Sequence, residues 1–231
     1  MPLSSECWIV DRSPAGTAAM PSFEDAVKTA EEMGIADHAL PRLALAIGRR
    51  LGLGQDALDE LRLVALVHDV GKLAIPTQLL NKRGSLTIVE WAVMQRHAML
   101  GRRLIERSLG LERAAEGVGA VRERWDGSGY PLGLRGPATP LSARIVHVAD
   151  AYDAMTSDRP YRRGMSHDEA IRVLEQYAGT QFDAKIVPVF TKLAGIARRE
   201  RPFAGANGPE VRSLAEALNG LPVTISESKD A

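Results

Sequence analysis

From Ser22 to Arg199 the apolar residues return every three or four positions, and no stretch of useful length alternates apolar with polar. A chain patterned this way can bury its apolar surface only along helix faces, so the expected fold class is all-α, a helical bundle. Ser22 is suited to cap a first helix with the stripe Phe23, Ala26, Val27, Ala30 and Met33 and a stop at Gly34. Asp37 caps a second, with Pro41 in the first turn and Leu43, Ala46, Ile47 and Leu51 buried ahead of Gly52. A third runs from about Gln55 to Asp69 and puts Leu58, Leu61, Val64, Ala65 and His68 on one buried face. Thr87 and Glu90 have capping-box spacing and open a helix through Trp91, Met94, His97 and Leu104 to about Arg107. Further helices are predicted from Leu111 to about Arg122, Leu141 to Met155, Ser166 to Ala178 and Asp183 to Arg199. Between Trp125 and Pro140, four glycines (127, 129, 133, 136) and the prolines Pro131 and Pro137 make a structured loop. The expected organisation is an irregular leader over residues 1–21, a helical domain over 22–200, and a linker, short helix and polar tail over 201–231.

The 29 basic and 29 acidic residues cancel, which argues against bulk attraction to DNA or an anionic membrane. Any phosphate specificity must come from a few placed cations. Cys7 stands alone, so an intrachain disulfide and a thiolate metal site are excluded. The leader lacks a basic segment followed by an apolar core, and no run approaches the roughly 18 apolar residues of a membrane span. A soluble cytoplasmic protein is expected. Trp8-Ile9-Val10 and the helix predicted over Glu210 to Leu218 are the surfaces offered for a homodimer.

His68 and Asp69 are adjacent at the end of an apolar run, and Lys72 follows three residues on. A neighbouring imidazole and carboxylate can both reach one divalent cation, while the lysine holds a phosphate oxygen against it. That suits phosphate ester hydrolysis. Alone, the same residues read more readily as a polar helix end with Lys72 at the negative end of the helix dipole.

The loop Trp125-Asp126-Gly127-Ser128-Gly129-Tyr130-Pro131 supplies the second half of a pattern. With His68-Asp69-Val70-Gly71-Lys72, Pro140-Leu141-Ser142-Ala143-Arg144-Ile145 and the run from Ala149 to Arg162, it strongly resembles the HD-GYP family of bacterial signalling phosphodiesterases over roughly residues 36–192. The resemblance implies a helical HD bundle with an extended loop, acting on cyclic di-GMP with iron or manganese. It assigns His38, His68, Asp69 and Asp150 to a first metal, with Asp69 bridging, and His97 to a second. Lys72 matches a phosphate-contacting lysine, Tyr130 a loop tyrosine near the substrate, and Arg159 and Arg162 basic groups that grip the guanine nucleotide. Asp69 and Lys72 are the residues it places in the chemistry.

The chain departs from that pattern where the family has two adjacent histidines before Glu123. Here Val121 and Arg122 stand in their place. Valine cannot ligate and arginine stays protonated, so neither donates a lone pair. One ion is expected rather than two. The guanidinium of Arg122 is expected to fill the vacated region and bind a non-bridging phosphate oxygen. Apart from the resemblance, His38 beside Asp37 reads as a helix cap, His97 as a core histidine, His147 as packing and His167 as merely solvated.

Three readings stand at this level. The first is a metal-dependent phosphodiesterase hydrolysing cyclic di-GMP or a related cyclic dinucleotide, weakened by loss of second-metal ligands. The second keeps the pocket without turnover, as a cyclic dinucleotide sensor or a module docking on a diguanylate cyclase or another signalling protein. The third is a mononuclear HD phosphohydrolase of nucleotide monophosphates, against which the Tyr130 loop speaks.

Overall fold

The computed structural model describes residues 39–107, 111–158 and 163–200, with side chains from 40 to 195 within them. Among the described residues there are nine α-helices and no strand, one isolated bridge between Ala178 and Phe182 aside. They are α1 (Ala39–Arg50), α2 (Gln55–Val67), α3 (Thr77–Leu80), α4 (Ile88–Gln95), α5 (His97–Glu106), α6 (Glu112–Ala120), α7 (Leu141–Thr156), α8 (His167–Gln176) and α9 (Ile186–Glu200). Short 3-10 turns span Val70–Ala74 and Gly136–Ala138. The all-α expectation is met. The first predicted helix, His38, Arg159, Arg162, the leader and everything beyond residue 200 lie outside the described residues.

α7 forms the axis. Ala143, Ile145, Val146, Val148, Ala149 and Tyr152 are all buried, which leaves it little polar face, as expected of a helix enclosed by neighbours. α1, α2, α6, α8 and α9 pack around it. α5 lies further out, against α6 and against the 3-10 turn Val70–Ala74. Small residues permit the closest of these approaches: a Cβ on Gly117 would meet Val64 of α2 at 2.7 Å and the Ser142 hydroxyl of α7 at 2.9 Å.

Two predicted boundaries shift. α2 ends at Val67; His68 keeps helical backbone angles as its cap, Asp69 departs from them, and the chain then tightens into the 3-10 turn. The helix predicted from Thr87 to Arg107 is two helices, broken at Arg96. Neither glycine nor proline marks that break, so periodicity ran straight through it. The Thr87–Glu90 capping box and a second box, Ser166 with Glu169, are both formed.

Candidate active site

Four stretches of chain meet at one point, residues 68–72 counting as one. α2 ends in His68 and Asp69, the 3-10 turn carries Lys72, α5 begins with His97, the strand of chain leaving α6 carries Arg122, and α7 supplies Asp150. α2 and α6 both arrive by their C-terminal ends, whose partial negative charge favours cations.

The two histidines are presented alike. His68 Nδ1 lies 2.9 Å from the Ala65 carbonyl and His97 Nδ1 2.7 Å from that of Met94, each three residues back. A carbonyl only accepts, so both rings carry a proton on Nδ1 and turn Nε2 inward. His68 Nε2 faces Asp69 Oδ2 at 3.5 Å and Asp150 Oδ1 at 3.6 Å. Burial works to lower its pKa, but Asp69 and Asp150 outweigh it and hold the imidazole above its ordinary value. His97 is lowered, because burial dominates there. Its Nε2, 3.7 Å from Asp69 Oδ1, is buried with no hydrogen-bond partner.

The carboxylates divide their oxygens. Arg122 donates from Nη2 to Asp69 Oδ1 at 2.9 Å and from Nη1 to Asp150 Oδ2, so its fork spans both side chains. The opposite edge, Asp69 Oδ2 and Asp150 Oδ1, faces His68. Lys72 Nζ donates to Asp69 Oδ2 at 2.5 Å. Burial would raise the pKa of both acids, yet His68, Arg122 and Lys72 hold Asp69, and Arg122 and His68 hold Asp150, well below the usual carboxylate range. Burial opposes the charge of Arg122 too, and Asp150 and Asp69 more than restore it.

Above this centre sits the glycine-rich loop. The Tyr130 ring meets the edge of His97 at 6.2 Å and of Trp91 at 5.9 Å, and burial raises its pKa. Glu123, 2 % exposed, is the anchor that sequence reasoning missed: its carboxylate accepts from Leu132 N at 2.6 Å and Leu134 N at 3.0 Å, tying the far side of the loop to its start. Trp125 N and Asp126 N donate to Gln181 and Thr180 carbonyls on the segment after α8.

A model of the HD domain matches residues 21–186. The chain belongs to the HD domain family. Its HD-GYP character, read from the loop and the His68-Asp69 pair, agrees with the relatives. Over 161 residues it is 38 % identical to a cyclic di-GMP phosphodiesterase of Thermotoga maritima, covering 67 % of this chain and 44 % of that protein. Over 147 residues it is 36 % identical to a 3'3'-cGAMP-specific phosphodiesterase of Vibrio cholerae, covering 63 % of this chain and 34 % of that protein. The fold matches a solved cyclic GMP-AMP specific phosphodiesterase of V. cholerae with a TM-score of 0.58 at 22 % identity, over 85 % of this chain and 52 % of the other. This HD domain thus spans less than half the length of those two curated relatives.

Imidazole nitrogen and carboxylate oxygen, the donor types gathered here, suit a divalent cation. His68 Nε2 stands 3.5 and 3.6 Å from the carboxylate oxygens on its edge. Ligands each about 2.1 Å from a shared tetrahedral cation lie roughly 3.4 Å apart, so these atoms stand slightly wider than bound ligands would. Among the described residues these side chains do not close a metal-holding group by themselves, and His38, the remaining donor implied by the resemblance, lies outside them. For a second ion the described residues offer His97 and an Asp69 oxygen already bound to Arg122.

The other histidines are structural. His147 Nδ1 donates to the Glu123 carbonyl at 2.8 Å, its Nε2 is 3.3 Å from the Gln181 amide nitrogen, and its ring packs on Phe182 at 5.2 Å. Burial pushes its pKa down to about 4. The unfolded chain takes up this proton below pH 6.5 and the folded one only near 4, so stability is full above 6.5 and declines as pH falls between the two. The contribution is at most about 1.4 kcal/mol per pH unit. Denaturant titrations from pH 7 to 4.5 are expected to show a shallower decline for His147→Gln than for the natural chain; parallel slopes would refute the assignment. His167 corrects an expectation: it is not merely solvated, because its Nδ1 pairs with the hydroxyl of the fully buried Tyr152 at 2.8 Å.

Proposed function

We propose that this HD domain is a divalent-metal-dependent phosphodiesterase that opens a cyclic dinucleotide, with cyclic di-GMP as the first substrate to try and 3'3'-cGAMP as the second. The observation that carries the reading is the convergence of His68, Asp69, Asp150 and Lys72 beneath the Tyr130 loop. His38, His68, Asp69 and Asp150 are the residues to hold the ion, iron or manganese. When bound, such an ion polarises the phosphodiester and makes a water more acidic.

The chain's own groups do the rest. The carbonyl contact at Nδ1 keeps His68 Nε2 aimed at the carboxylates without a rotamer search. Lys72, about one-third exposed and tethered only at Asp69, is free to swing its ammonium onto a non-bridging phosphate oxygen as substrate arrives. Tyr130, stacked edge-on between Trp91 and His97, walls one side of the pocket and keeps bulk water from that face. Arg159 and Arg162, just after α7, are assigned to the guanine or the distal phosphate.

Each relative's named substrate is a cyclic dinucleotide, which favours this class over nucleotide monophosphates. Incubating the reduced protein with cyclic di-GMP or 3'3'-cGAMP, with iron or manganese supplied, is expected to yield the linear dinucleotide. Intact ligand retained at equilibrium would replace the enzyme by a sensor, and turnover of a nucleotide monophosphate alone would overturn the substrate class.

A further inference from the structure

We propose that the guanidinium of Arg122 occupies the place of a second divalent cation, so that the centre accepts one ion and its affinity for that ion is held down by a resident positive charge. The inference rests on the metal-dependent reading above and adds what this particular chain does with it.

The division of the carboxylate oxygens carries the argument. Asp69 and Asp150 present two edges. One edge, Asp69 Oδ1 and Asp150 Oδ2, is closed by the two Nη atoms of Arg122. The other, Asp69 Oδ2 and Asp150 Oδ1, faces His68 Nε2 at 3.5 and 3.6 Å and is shared only with the ammonium of Lys72. A cation entering beside His68 has to displace Lys72, a flexible side chain 31 % exposed. A cation entering on the opposite edge has to expel a guanidinium held by both carboxylates, with His97 Nε2 as the one new ligand among the described residues. The first exchange is easy and the second is not.

Charge points the same way. Asp69 and Asp150 supply two negative charges, Arg122 and Lys72 two positive ones, so the pocket is balanced with no metal in it. An ion beside His68 leaves the pocket with an excess positive charge even with Lys72 withdrawn, because Arg122 stays protonated at any working pH. Two like charges a few ångströms apart in a poorly hydrated pocket repel strongly. The same substitution that removed a ligand therefore also taxes the ion that remains. A guanidinium has five N–H groups, and the two carboxylates engage one from each Nη, which leaves donors to face a phosphate oxygen as the absent ion would. It cannot acidify a water, so it replaces the clamping half of a binuclear centre and not the activating half.

The test is a manganese titration of the full chain, purified with chelator, followed by calorimetry and elemental analysis of the dialysed protein. The natural chain is expected to bind one ion. Arg122→Gln is expected to bind at least tenfold more tightly, whereas Arg122→Lys, which keeps the charge without the fork, stays within about threefold of the natural chain. Val121→His with Arg122→His is expected to bind two. Two ions in the natural chain overturn the proposal, as does a folded Arg122→Gln with unchanged affinity. Should Arg122→Gln fail to fold, the double-histidine variant decides, and one ion there overturns it. No substrate is involved, so an inactive chain that binds one ion leaves the inference standing while the enzymatic reading falls.

Discussion

Asp69→Asn is expected to lower cyclic dinucleotide turnover by at least about a thousandfold, a barrier increase of about 4 kcal/mol. Asp69 is the hub of the site. Its Oδ1 takes Arg122 and faces His97, and its Oδ2 takes Lys72 and faces His68. Asparagine preserves the volume but removes the negative charge and turns one acceptor into a donor. An amide nitrogen would then point at either the Lys72 ammonium or the Arg122 guanidinium, both of which only donate. The loss should fall mainly on kcat, because the groups assigned to grip the nucleotide, Arg159, Arg162 and Tyr130, remain. A second readout separates chemistry from folding: manganese affinity should drop with turnover, while the helical circular dichroism signal at 20 °C is retained. Turnover within tenfold of the natural chain would remove Asp69 from the centre and the proposed mechanism with it.

What could be read from the sequence followed from how local each signal was. His68, Asp69 and Lys72 lie within five residues at the end of one periodic run, so their proximity is built into the chain. The all-α class likewise required only the three-and-four spacing. Arg122 could be singled out as an odd residue at a ligand position, yet its fork across Asp150 and Asp69, 28 and 53 residues away, depends on how α6 crosses α2 and α7. No window of sequence carries that crossing. The break at Arg96 was invisible because no local breaker marks it; a helix starts afresh at His97, where its backbone lies close against the turn holding Gly71. Glu123 and His167 were undervalued for one reason. Both act through partly buried hydrogen bonds to groups nine or more residues away, and a polar residue gives no sign in sequence of whether its partner is protein or water.

Gly71→Ala is expected to destabilise the fold by about 3 kcal/mol or more, lowering the melting temperature by roughly 6–12 °C. A Cβ at this position would stand 1.9 Å from the His97 carbonyl oxygen, 2.5 Å from Gly101 N and 2.8 Å from the His97 carbonyl carbon. All three are backbone atoms of α5, so no rotamer change relieves the clash, and in a close-packed interior the strain has to move an element. Either the 3-10 turn lifts from α5 or α5 withdraws. Both displacements separate His97 from Asp69, now 3.7 Å apart, and swing Lys72 with the turn, so function should fail in whatever fraction still folds. A second glycine supplies the contrast. Gly195, inside α9, has nothing within 4 Å of its would-be Cβ among the described residues, and alanine there should stabilise by up to about 1 kcal/mol through helix propensity alone. Opposite signs for the same chemical change would locate the constraint in the contact between turn and helix. Loss of less than about 1 kcal/mol for Gly71→Ala would mean that this contact is looser than described, and that the aim of His97 at Asp69 is set by something other than the backbone beneath it.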